Sequence, residues 1–168
     1  FRSKVLLCSK AGEGLPSAGT LRTETVDLGG KTERWHFAVR VMQQGYLPDL
    51  MEPDAVRAFL ESTHELYKVH VGNAFGKTIP GVFTDEPQYA IHHTLCDLKA
   101  LPWTETLPKE FKKDHGYSIL DNLPSLFFDV GRFRKVRYDF FSTVTRLFLD
   151  AYSKQIYDWC EENGLKYT

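Results

Sequence analysis

With 168 residues, of which 42% are hydrophobic and 26% charged, the chain holds the material of one ordinary globular domain. Its 21 Lys and Arg nearly cancel its 22 Asp and Glu and no basic run breaks the balance, which argues against a nucleic-acid or anionic-membrane binder. No stretch approaches the roughly 20 apolar residues of a membrane span, and Cys8, Cys96 and Cys160 are too scattered for a disulfide framework or a four-ligand zinc site.

In chain order, Lys4–Cys8 reads as a short strand, followed by turn residues from Ala11 to Pro16. Alternating polar and apolar residues over Thr20–Val26 and again over Trp35–Met42, separated by the reversal Asp27–Lys31, predict a small antiparallel β unit over 1–44. Asp49-Leu50-Met51-Glu52 then leads into a helix predicted from about Pro53 to Val69. Pro53 suits its first turn, and Val56, Phe59, Leu60, Thr63, Leu66 and Tyr67 form its apolar stripe.

Gly72 and Gly76 end that helix, and Ile79–Phe83 reads as a strand covered on both faces. It empties into Thr84-Asp85-Glu86-Pro87. A residue before proline is pushed out of the helical region, so Glu86 is expected to stay extended and project from the strand end. Tyr89–Thr106 lacks a clean period and is read as a long loop carrying Trp103. A short helix follows over Leu107–His115, closed by Gly116, then a helical turn or two within Tyr117–Val130. From about Arg132 to Asn163 apolar residues recur at helical spacing, Asn163-Gly164 stops the helix, and Leu165–Thr168 opens another strand. The chain begins at Phe1 and is read as a segment of a longer polypeptide, so absent targeting signals leave its compartment open.

Asp85 and Glu86 are the candidate chemistry. Successive side chains on an extended chain face opposite ways, so the two cannot enter one pocket while the backbone stays extended. Hydrolysis of a glycosidic bond normally employs two carboxyl groups, and Asp49 is the nearby partner within the chain, a residue beyond Thr168 the other option. His92, His93 and Cys96 suggest metal ligation at first sight, yet adjacent histidines diverge in regular structure and a zinc site needs three or four convergent ligands. His64 and His70 read as a solvated or satisfied helix face. Arg137 and Asp139 read as a salt link on the long helix, and Trp103 as either a sugar-stacking platform or a lid anchor.

Several motifs recur in a fixed order: Asp49-Leu50-Met51-Glu52-Pro53-Asp54-Ala55-Val56, then Phe75-Gly76-Lys77-Thr78-Ile79-Pro80-Gly81-Val82-Phe83-Thr84-Asp85-Glu86-Pro87, then Pro102-Trp103-Thr104. Phe111 with Gly116-Tyr117, Leu123-Pro124, Arg137-Tyr138-Asp139 and Trp159-Cys160-Glu161-Glu162-Asn163-Gly164 complete the series. From about Val41 to Thr168 the chain resembles a central segment of large bacterial glycoside hydrolases similar to the family 106 α-L-rhamnosidases and their relatives. That resemblance implies an α/β fold, with 45–168 forming part of a (β/α)8 barrel and the β unit of 1–44 an insertion on it. It implies a glycosidase of complex glycans working outside the cytoplasm, in the periplasm or secreted, with Glu86 as catalytic carboxylate and general acid. Asp85 would orient or hydrogen-bond, and Trp103 would line the sugar site, with Asp49 and Tyr89 as further substrate-binding candidates. No cofactor is indicated, and calcium is left open, with no residue pattern that calls for it. The expected partners are a carbohydrate and the remaining domains of the parent chain, without which this segment is expected to be inactive. The competing expectations are a non-catalytic carbohydrate-binding or structural barrel and, last, a metal-dependent hydrolase built on Asp85, Glu86 and His92 or His93.

Overall fold

The computed structural model describes residues 2–10, 20–27, 34–88 and 99–168. Strands β1 (Arg2–Lys10), β2 (Thr20–Asp27) and β3 (Arg34–Pro48) are antiparallel. Helix α1 (Pro53–Ser62) has Pro53 in its first turn and buries Ala55, Val56 and Leu60. Thr63 leaves the helical region, the Ser62 hydroxyl donates to the Phe59 carbonyl (3.1 Å), and a separate helix α2 (His64–Val71) begins. Such back-bonding by serine competes with the helix ladder and accompanies its break. The single helix expected to Val69 is therefore two, and α2 buries none of its residues: Leu66, Tyr67 and Val69 all face outward.

Next come β4 (Gly81–Val82), β5 (Lys99–Trp103) and α3 (Leu107–His115), whose Leu107 and Phe111, four residues apart on one face, are fully buried. Gly116 closes α3 in the left-handed region at φ +76°, its N–H donating to the Lys112 carbonyl. Helix α4 (Leu123–Phe127) is buried throughout. Helix α5 (Phe133–Phe148) then runs through a π turn, Leu149–Ser153, into α6 (Lys154–Glu162). The buried positions Val136, Phe140, Val144, Leu147 and Ala151 step by three or four, as do Tyr152, Ile156 and Trp159, but the two series meet at adjacent residues, Ala151 and Tyr152, one residue out of phase. The widened turn takes up that extra residue and keeps the apolar stripe pointing inward. Gly164, at φ +67°, ends the helix, and β6 (Lys166–Tyr167) follows.

Two buried clusters hold these elements together. In the first, Met51, Trp103, Leu107, Phe111, Leu123, Val136 and Phe140 join the end of β3, β5, α3, α4 and α5. In the second, Leu50, Val56, Leu60, Ala151, Tyr152, Ile156 and Trp159 join α1 to the π turn and α6. Phe148 packs against both, and the adjacent pair Leu50 and Met51 contributes one residue to each. Each fully buried large side chain contributes about 1.5–3 kcal/mol from apolar surface removed from water.

The expected partial (β/α)8 barrel is corrected. Among the described residues parallel pairing of strands is confined to Gly81–Val82 with Lys166–Tyr167, and the chain from Pro53 onward is mostly helical. The antiparallel strands are not an insertion on a barrel either. Their sheet, ordered β2-β3-β1-β5, takes its fourth strand from Lys99–Trp103, in the stretch expected to be a loop. Pro102 is tolerated there because β5 lies at the sheet edge. The apolar run Ile79–Phe83 is not a doubly covered strand: only Gly81–Val82 is strand, both half-buried, and Phe83 is 73% exposed. Helix packs on helix where the barrel reading placed sheet, because the apolar stripes of α3 and α4 bury against α5, and that of α1 against the π turn and α6.

The β4–β6 pair has a steric requirement. A Cβ on Gly81 would lie 2.4 Å from the Lys166 carbonyl oxygen, a backbone atom that cannot swing aside. Gly81→Ala is expected to lower stability by about 1–3 kcal/mol, read as a lower urea midpoint with an unchanged slope.

Candidate acid cleft

The Thr84 N–H donates to the Thr168 carbonyl (3.0 Å), so the chain leaves β4 held against the residue that follows β6. Asp85 and Glu86 come next. Glu86 is not extended: its φ is +41°, the one left-handed non-glycine residue among those described. This conformation costs an L-residue on the order of 1–2 kcal/mol, and strained backbone of this kind gathers at functional sites. It breaks the alternation of side chains, and Asp85 and Glu86 both line a single cleft of about 260 Å³. The end of β3 and the residues just after it supply Pro48 and Leu50 to its wall, α1 supplies Phe59 and the π turn supplies Tyr152, with Pro87 and Gln88 completing the lining. Both acids are exposed.

Asp49 does not join them. It is 5% exposed, with Oδ1 accepting the Met51 N–H (3.1 Å) and a second hydrogen bond to the Thr104 side chain. Burial pushes its pKa above the usual carboxylate value, against the opposing pull of those hydrogen bonds and of Lys4. It is a structural link between the end of β3 and the residue after β5. Trp103 is 3% exposed within the first cluster, so it offers no stacking face to a ligand. Tyr89, His92, His93 and Cys96 lie outside the described residues. Cys160 is a buried free thiol, with burial raising its pKa. Among the described residues no group of three or more His, Cys, Asp or Glu is placed to hold a metal, and no helix is long and apolar enough to cross a membrane.

Of the aromatic residues beside the acids, Phe59 was legible only as a member of an apolar stripe, and Tyr152 was missed because it falls one residue out of phase with the series ending at Ala151. His64 is half-buried, edge-on to Phe59 and Trp159, and its Nδ1 is buried without a hydrogen-bond partner. Burial lowers its pKa, so the ring is held toward its neutral form. His70 is exposed on α2.

Arg137 and Asp139 do not pair with one another. The Arg137 guanidinium bonds the Ser125 carbonyl (3.0 Å) and Asp129 (2.9 Å). Asp139 is buried under α3, where Tyr117 Oη donates to Oδ2 (2.7 Å) and the Lys135 ammonium donates to the same oxygen. Burial works against its charge, but the bonds from Lys135 and Tyr117 and the nearness of His115 outweigh it and hold its pKa below the usual value. Tyr117 is pushed the other way, first by burial and then by Asp139.

The chain matches no protein-family model, no curated protein and no solved structure.

Two measurements follow. Because Glu86 occupies the left-handed region, Glu86→Gly should leave the urea midpoint level or raise it, while the β-branched Glu86→Val should cost about 1–2 kcal/mol. The two buried carboxyls should respond to pH with opposite signs. Asp139, with its folded pKa depressed, stabilises above the unfolded value near 4 and loses that contribution as pH falls through its folded pKa. Asp49, raised, favours the fold below its unfolded pKa and loses that contribution as pH rises through its folded one. Urea midpoints at pH 7 and pH 3 should show Asp139→Asn weakened mainly at pH 7, and Asp49→Asn comparing better with the parent at pH 7 than at pH 3.

Proposed function

We propose that the chain contributes the acid cleft of a glycoside hydrolase acting on complex glycans, with Glu86 as general acid and Asp85 as the neighbouring carboxylate that orients the sugar. The observation that carries this reading is the left-handed turn at Glu86, which puts two carboxylates into one cleft beside Phe59 and Tyr152. Carboxylates accept from sugar hydroxyls, and aromatic walls suit the apolar face of a sugar ring. The ordered motif series from Asp49 to Gly164, similar to that of the family 106 enzymes, supports an α-L-rhamnoside as the first substrate to try. The barrel that the resemblance also implied is not part of the proposal.

In this reading Glu86 delivers its proton to the glycosidic oxygen as the bond from that oxygen to the anomeric carbon breaks, while a second carboxylate, or a water that it deprotonates, forms the new bond to that carbon. The second carboxylate that such hydrolysis needs comes from outside the described residues, since Asp49 is buried and committed to Met51 and Thr104. Both proposed acids are exposed in the open cleft, and seating a sugar over them would replace water and strengthen every interaction there.

Hydrolysis of a panel of aryl glycosides, including the α-L-rhamnoside, should be measured for the longest polypeptide that contains this chain. Activity on one glycoside should fall by about 10²–10⁴ in Glu86→Gln, with the alkaline limb of the pH–rate profile lost. Activity that survives the substitution would move the acid elsewhere, and glycan binding without turnover would favour a carbohydrate-binding domain instead.

A further inference from the structure

The long helix departs from α geometry between Leu149 and Ser153, and the π turn there carries Tyr152 to the acid cleft. Such turns are rare and often sit at functional sites, because the wider turn re-aims side chains. Tyr152 is 8% exposed, and its ring stacks on Phe148 with centroids 5.3 Å apart and planes at 20°. Its hydroxyl faces the Thr84 side chain, and Thr84 Oγ1 lies 3.5 Å from the Tyr167 hydroxyl and 3.5 Å from the Thr168 carbonyl. Thr84 is the residue immediately before Asp85. A continuous line of contacts therefore runs from the helix, through two uncharged hydroxyls, to the backbone that presents the acids. The apolar packing around Tyr152 does not require that hydroxyl, since phenylalanine would retain the stack on Phe148.

We propose that Tyr152 is a positioning residue of the acid cleft: through Thr84 it fixes where Asp85 and Glu86 stand, and with Phe59 it forms the surface that receives a neutral polyhydroxylated ring. This deepens the glycan reading above and rests on it. The cleft wall sorts by chemistry in the way such a ring requires. Phe59, Tyr152 and Leu50 offer apolar area, Asp85 and Glu86 accept hydrogen bonds, and Gln88 both donates and accepts. An organic cation would use the carboxylates and the aromatic faces but would find no role for the Gln88 amide donors.

The test is an amide-resolved NMR titration of this chain with methyl α-L-rhamnopyranoside, and separately with tetramethylammonium. The glycoside should shift the Asp85, Glu86 and Gln88 amides. Tyr152→Phe and Thr84→Val should each weaken its binding about three- to tenfold, the weight of one hydrogen bond, with thermal midpoints little changed. The double variant should bind no worse than either single one, because both remove the same link. A general loss of packing would instead lower the thermal midpoint and add in the double variant. Unchanged affinity in Tyr152→Phe would overturn this inference while leaving the reading of Glu86 intact. Failure of the glycoside to bind the parent chain, with or without binding of tetramethylammonium, would overturn both. Should Tyr152→Phe fail to fold, Thr84→Val alone carries the comparison, and unchanged affinity there overturns the proposal.

Discussion

The constraint on which the structure depends is the continuity of one helical rod, α5 through the π turn to α6, across two separate cores. Val136, Phe140, Val144 and Leu147 anchor it in the first cluster, while Ala151, Tyr152, Ile156 and Trp159 anchor it in the second. A regular α-helix would rotate the second set off its face, because the series ending at Ala151 and the series starting at Tyr152 are one residue out of phase. The π turn absorbs the offset. Met51 and Leu50, consecutive in sequence, lock the end of β3 to the same two clusters from the other side.

The cleft is a by-product of that registry. Its wall needs the end of β3, a residue of α1, the exit from β4 and the inner side of the π turn to meet, and the second cluster is what brings them together. The acids are then aimed by local geometry, the left-handed backbone of Glu86 and the hydrogen bonds that hold Thr84. The hydrogen-bonded anchor at Thr84 and the strained backbone at Glu86 thus sit two residues apart, which is the arrangement expected where rigid surroundings over-determine a costly conformation.

The buried polar groups serve the frame rather than the cleft. Asp49 ties β3 to the segment after β5, and Asp139 ties α5 to Tyr117 beyond α3. Each carboxylate is enclosed and hydrogen-bonded, as groups drawn out of water must be. Asp49 had looked like a candidate for chemistry when only its neighbours in the chain were known, and Asp139 like half of a surface salt link. A carboxylate near a strand end is equally suited to catalysis and to satisfying a backbone donor, and only its surroundings distinguish the two.

What the sequence by itself determined is local. The helices over Leu107–His115 and from Phe133 to Glu162, their stops at Gly116 and Gly164, and the prominence of Asp85 and Glu86 all follow from periodicity, backbone preference and residue chemistry within a few positions. Tertiary structure decided what those signals leave degenerate. A short apolar run such as Ile79–Phe83 satisfies a buried strand and a partly exposed connection equally well, so the barrel reading had no local contradiction to stop it. Trp103 became core rather than platform because Lys99–Trp103 found an edge to pair with on β1, a contact about a hundred residues away in sequence. The meeting of Asp85 and Glu86 in one cleft required a left-handed Glu86. Backbone preference before proline argues against that conformation, so the residues on either side of Glu86 did not announce it.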